Sequence, residues 1–104
     1  MSEANKFDTE KLRMDLLSVK SINGIADVLT YGADKYGARN WEQGLDFSRV
    51  YAALLRHLFA WIDGEDIDPE SKKHHVDHVA CNVHFLQHYI KTGTGNDDRP
   101  IGKE

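Results

Sequence analysis

Arg56-His57-Leu58-Phe59-Ala60-Trp61-Ile62-Asp63-Gly64-Glu65-Asp66-Ile67-Asp68-Pro69-Glu70-Ser71, followed by His75, His78 and Asn82, is the stretch on which the reading of this chain turns. A short acidic loop joins two apolar segments with helical spacing. Gly64 ends the first segment, and Pro69 suits a tight turn or the first turn of the next helix. Two helices joined this way form an antiparallel hairpin. At a rise of about 1.5 Å per residue, His57 and His78 then fall at a similar height. Glu65, Asp66, Asp68 and Glu70 cap the same end. Imidazole with carboxylate is the ligand set of Zn, Mn, Co or Fe, and carboxylate alone suits Mg. Buried helix histidines that merely bond a carbonyl or carboxylate, above a solvated acidic loop, are the plainer alternative.

The segment before the loop, from about Arg49 to Asp63, is apolar nearly all round. Such a helix is buried on most sides. In so short a chain another subunit is the natural cover, so a homo-oligomer, dimer or tetramer, is expected. Ser48 suits the N-cap of this helix. The third helix should run from roughly 73 to 91, with Val76, Val79, Val83, Leu86 and Ile90 as its core stripe. Further upstream, Ile22, Ile25, Ala26, Leu29 and Ala33 mark a helix from about 19 to 36, ended by Gly37. Gly24 and Gly32 inside it cost roughly 1 kcal/mol each relative to alanine, which suggests close approach of another backbone or of a ligand. Residues 1–17 read as a polar arm packing on the body, 18–91 as the helical core, and 92–104 as a tail that is flexible by composition. The fold class is all-α, a helical hairpin or bundle in a single domain.

Composition narrows the function. The chain has 104 residues and a net charge of −4, which argues against duplex nucleic acid as a partner. Cys81 is the only cysteine, so no intrachain disulfide forms, as suits a reducing compartment. No stretch approaches the ~20 apolar residues of a membrane span, and the first residues are polar. A cytoplasmic protein without a membrane partner is expected. Cys81 itself reads as a small core residue.

The second constellation is Tyr31-Gly32-Ala33-Asp34-Lys35-Tyr36-Gly37-Ala38-Arg39-Asn40-Trp41. Lys35 and Arg39 bracket a glycine turn and can contact phosphate. Trp41 can stack on a base and Asn40 can read a base edge, although a tryptophan between helices also simply closes a core. Arg56, inside an apolar helix, is expected to face a carboxylate or a phosphate. His84 and His88 are four apart, lack a nearby carboxylate in sequence and read as surface residues.

In order, Lys11-Leu12-Arg13-Met14-Asp15-Leu16-Leu17, the Tyr31 to Trp41 segment with Gly44, Arg56-His57-Leu58, Gly64-Glu65-x-x-Asp68-x-Glu70-Ser71, His75-x-x-His78 and Asn82 resemble the dATP/dGTP diphosphohydrolase family of phages and bacteria. The resemblance covers residues from about 6 to 101. It implies an all-α fold similar to MazG-type nucleotide pyrophosphohydrolases. It also implies the reaction dNTP + H2O → dNMP + pyrophosphate, a purine deoxynucleoside triphosphate as substrate, and a divalent metal, Mg first, with Mn or Co as alternatives. In phages that replace adenine with 2-aminoadenine, such an enzyme supplies dGMP and removes dATP; elsewhere it controls nucleotide pools. Where MazG-type enzymes carry Glu-Glu-x-x-Glu and Glu-x-x-Asp, this chain has Arg56-His57-Leu58-Phe59-Ala60 and His75-Val76-Asp77-His78. The ligands are therefore expected in the 64–70 loop or as histidines.

The resulting expectation assigns metal ligation to His57, Glu65, Asp68 and His78. The catalytic candidates are Glu65, Glu70 and His75, with Glu70 or His75 orienting or deprotonating the water. Lys11, Arg13, Lys35, Arg39, Asn40, Trp41, Arg56 and Asn82 bind substrate. Two rivals stand beside it. One is a non-catalytic helical interaction module in which Arg56 pairs with Asp63 or Glu65. The other is a His-Asp-type metal phosphohydrolase using His57, His74, His75 and Asp77.

Overall fold

A computed structural model describes residues 4–7 and 9–101. These residues form three α-helices: α1 (Val19–Tyr36), α2 (Phe47–Ile62) and α3 (His75–Thr92). Single 3-10 turns lie at Met14–Leu16 and Asn40–Gln43. Among the described residues there is no strand, only isolated bridges between Asp46 and Asn96 and between Ile67 and His74. No helix is long and apolar enough to cross a membrane. The fold is all-α, with α3 as the central element and both α1 and α2 packed against it.

Local chemistry sets the helix ends. Ser18 caps α1, its hydroxyl accepting the Ser21 N–H at 3.2 Å. Gly37 stops α1 at φ 96°, in the region that favours glycine. α2 begins two residues earlier than the sequence implies, with Asp46 rather than Ser48 at the cap position. Ser48 lies inside the first turn, where its N–H and hydroxyl both donate to the Asp98 carboxylate. α3 starts at His75 because the preceding loop is closed on itself. The Asp68 N–H donates to the Lys73 carbonyl, the Lys72 N–H to the Asp68 carbonyl, and the His75 N–H to the Asp66 carbonyl, each at 2.8 Å. His74 then caps α3 through Nδ1, which accepts the Val76 N–H at 3.0 Å.

The core is small. Phe47, Val50 and Tyr89 form its buried centre, with Trp41, Leu45, Phe85 and Leu86 around them. Cys81 is buried, as the sequence suggests. The far end of α2 is left open among the described residues: Phe59 is 61% and Ile62 65% exposed, against 2% for Val50. The arm differs from expectation, since Phe7, Leu12 and Leu16 stay exposed instead of packing on the body.

The segment after α3, flexible by composition, is held to the start of α2. The Phe47 N–H donates to the Asn96 carbonyl at 2.9 Å and the Asn96 N–H to the Leu45 carbonyl at 3.2 Å. Gly44 and Gly95 permit this closeness. A Cβ at Gly44 would fall 2.7 Å from the Gly95 nitrogen.

Candidate functional site

Between α1 and α2, over the face of α3, lies an open cleft of about 1260 Å³. One region of its lining is a histidine cluster. His57 of α2 stacks on His78 of α3, with ring centroids 4.1 Å apart and planes 4° from parallel. His57 Nδ1 lies 2.9 Å from His75 Nδ1. The hairpin places these groups together because His57 precedes the loop, and His75 and His78 follow it by one turn of helix.

Donor bookkeeping fixes the protons. The carboxylate of Glu65 can only accept, so His75 Nε2 donates to it at 2.7 Å. With a single ring proton on His75, its Nδ1 carries the lone pair and accepts from His57 Nδ1. Asp68 Oδ2 accepts from the Ser71 hydroxyl at 2.7 Å and from the Ser71 N–H at 2.9 Å. Ser71 Oγ has given its proton, so His78 Nε2 must donate to it at 2.7 Å. The Lys73 N–H donates to the same oxygen at 3.2 Å. Ser71 is only 6% exposed and ties the loop to α3.

These contacts shape the titration of the cluster. Burial, then the neighbouring His78, pushes His57 down to about 4. Burial also lowers His78, against the opposing pull of Asp68. For Asp68 burial acts upward, but the Ser71 hydrogen bonds and His78 outweigh it, and its carboxyl sits below the usual carboxylate range. At neutral pH His57 and His78 are therefore neutral imidazoles beside an ionised Asp68 carboxylate. His57, Asp68 and His75 each offer one ligand atom within 4.8 Å of the others.

The other region of the lining is aromatic. Trp41 stacks on Phe85, with centroids 4.9 Å apart, and lies against His84 and His88 at 5.1 and 4.8 Å. Tyr89, fully buried, donates its hydroxyl proton to the Trp41 carbonyl. His84 and His88 are thus part-buried ring partners rather than surface residues. His84 Nδ1 is buried with no hydrogen-bond partner among the described residues. Burial, and then His88, lowers the His84 pKa.

A family model described as dATP/dGTP diphosphohydrolase, N-terminal, matches residues 1–99. The chain belongs to this family. A protein of Salmonella phage PMBT28 named dATP/dGTP diphosphohydrolase is 34% identical over 94 residues, which is 90% of this chain and 32% of that protein. The chain therefore spans about a third of the length of this relative. No solved structure matches the chain significantly.

The structure gathers His57, Glu65, Asp68, His75 and His78 of this family member in one cluster. Within it, Glu65 holds the far side of the His75 ring, and the Nε2 of His78 is engaged by Ser71. Lys35, Arg39, Asn40, Trp41, Arg56, Glu70 and Asn82 all line the cleft. Lys35 pairs with Glu70 across it at 2.9 Å, and that bond raises the Lys35 pKa. Arg39 pairs with Glu42. Arg56 is exposed and makes no ion pair among the described residues, with Asp63 and Glu65 included. Lys11 and Arg13 are not brought to the cleft; Arg13 pairs with Asp15 at 2.7 Å.

Two residues in the site escape a reading of the sequence. Ser71 is the junction of the loop network, and its only local sign is the Asp68-x-x-Ser71 spacing of a side-chain-bonded turn. His84 gains its place from Trp41, which arrives from a distant turn and leaves no trace in the pattern of α3.

Proposed function

We propose that this chain is the hydrolytic, metal-binding module of a dATP/dGTP diphosphohydrolase that converts dGTP or dATP to the monophosphate and pyrophosphate. The observation that carries the reading is the placing of the His57–Asp68–His75 trio, the cations Lys35 and Arg56, and an aromatic surface in a single cleft. Those are the three chemistries that a nucleoside triphosphate presents for recognition.

The trio fits a divalent metal. Two imidazoles and a carboxylate face one another, with Glu65 holding the outer nitrogen of His75 as carboxylates commonly do behind ligating histidines. Mg is the first metal for the site, and its two nitrogens also suit Mn or Co. His57, Asp68 and His75 would hold the ion. When bound, it would neutralise phosphate charge and lower the pKa of water. The chain's own groups do the rest. Ser71 fixes the Asp68 carboxylate, and Lys35 and Arg56 supply charge to the phosphates. Trp41, Asn40 and Asn82 receive the nucleoside. Glu70, exposed at the cleft and bonded to Lys35, is placed to orient the attacking water. In the overall reaction water adds to the α-phosphorus, the bond to the β-phosphoryl oxygen breaks, and pyrophosphate leaves.

The setting we propose is 2-aminoadenine DNA synthesis in a phage, or nucleotide-pool control. The proposed assembly is a homo-oligomer that covers Leu55, Phe59, Trp61 and Ile62, all exposed in the single chain. The test is incubation with each dNTP and NTP in Mg, Mn, Co or EDTA, with separation of the products. Metal-dependent dGMP or dAMP with pyrophosphate is the expected result. Release of inorganic phosphate alone would assign the imidazole-rich cluster to a His-Asp-type phosphohydrolase instead. No turnover and no nucleotide binding under any metal would refute the hydrolase reading.

A further inference from the structure

Gly32 lies in the interior of α1, where glycine weakens a helix relative to alanine. Two ordinary reasons for a glycine are absent. Its φ is not positive, so the backbone does not require it. Packing does not require it either, because a Cβ built there meets no atom of the described residues within 4 Å. Gly24 of the same helix shows what a packing reason looks like: a Cβ there would fall 2.2 Å from Asp77 Oδ1. What Gly32 faces is the cleft, whose lining it shares with Tyr31, Lys35, Arg56 and His57.

We propose that Gly32 is a contact point for the bound nucleoside triphosphate, a place where bare helix backbone lets the ligand lie directly against α1. The inference rests on the nucleotide-hydrolase reading and adds to it a specificity-determining position. A missing side chain allows the closest approach that a backbone can offer. Lys35, one turn further along the helix, supplies charge beside that position, and its partner Glu70 lines the same cleft. Charged neighbours suit a charged ligand. The core of an interface with a second copy would be depleted of them.

The test compares the unmodified chain with Gly32→Ala and Gly32→Leu. Each is measured for dGTP turnover with Mn, for melting temperature, and for mass by light scattering. Alanine has room, so it should raise the melting temperature by about 4 °C while it weakens substrate binding. We expect KM for dGTP to rise about tenfold with leucine and by a smaller factor with alanine, with kcat changed less and the mass unchanged. KM values within about twofold of the unmodified chain for both variants would overturn the proposal. So would a changed mass that accompanies the loss, because the open space would then belong to a second copy. An unmodified chain that neither binds nor hydrolyses a nucleotide would refute the hydrolase reading and this proposal together. That failure is distinguishable because it precedes any substitution.

Discussion

Replacing Ser71 with alanine tests whether the loop network is a unit. The hydroxyl donates to Asp68 and accepts from His78 Nε2 and the Lys73 N–H, at 2.7, 2.7 and 3.2 Å. Deleting it removes a bond to an ionised carboxylate and strands the Nε2 proton of a buried histidine. A bond to a charged group is worth about 1.5–3 kcal/mol and an unsatisfied buried donor costs about 1–3 kcal/mol. These overlap, so a loss of about 2–3 kcal/mol is expected. In a domain of this size that lowers the melting temperature by roughly 10 °C or more. The assay is urea unfolding followed by far-UV circular dichroism, in EDTA and at one fixed protein concentration. A double-mutant cycle with His78→Phe separates the network from simple packing. In the double variant no imidazole proton is stranded, so it should cost less than the sum of the singles by about 1 kcal/mol or more. Additivity within about 0.5 kcal/mol, or a loss from Ser71→Ala below about 0.5 kcal/mol, would refute the reasoning.

Acid should weaken the metal-free fold through His57. Its folded pKa of about 4 lies below the ordinary 6.5, so the unfolded chain binds the proton first. Stability is complete above pH 6.5 and falls as pH drops toward 4, and His57→Gln should flatten that slope in urea titrations. Lys72 has φ 65°, in the region that favours glycine. Lys72→Gly should stabilise by about 0.5–1 kcal/mol, read as a higher urea midpoint, and an unchanged or lower midpoint would show no strain there. Burial pushes the Cys81 thiol up to about 12, so it should react with a thiol reagent only as the chain unfolds. Rapid labelling of the native chain would contradict its placement.

Much of this architecture was legible because it depends on local signals. Gly37 ends α1 where its periodicity ends, and Gly64 with Pro69 marks the turn of the hairpin. The meeting of His57 with His78 follows from helical rise alone, once the hairpin is granted; the contact of His57 with His75 does not. The start of α2 is less legible, because Ser48 resembles a cap in isolation, whereas Asp98, fifty residues away, is what binds it. His84 and His88 resemble surface residues for the same reason, since nothing on their own helix announces Trp41. A helix apolar nearly all round implies burial and hence a carboxylate or phosphate for Arg56; among the described residues that part of α2 remains open and Arg56 pairs with no carboxylate.

The hydrogen bonds from residues 94–98 to the first turn of α2 have a mechanical consequence. The acidic loop closes one end of the α2–α3 hairpin covalently, and this clasp closes the other without a covalent bond. The two helices are thereby a tied ring, in which neither end can fray without first opening the clasp. Amide exchange at Phe47 and Asn96 should then slow or quicken in step, as two readings of a single latch. A chain clipped after Gly93 would keep its hairpin turn and lose its parallel rails, and the cleft between α1 and α2 would widen from the aromatic end.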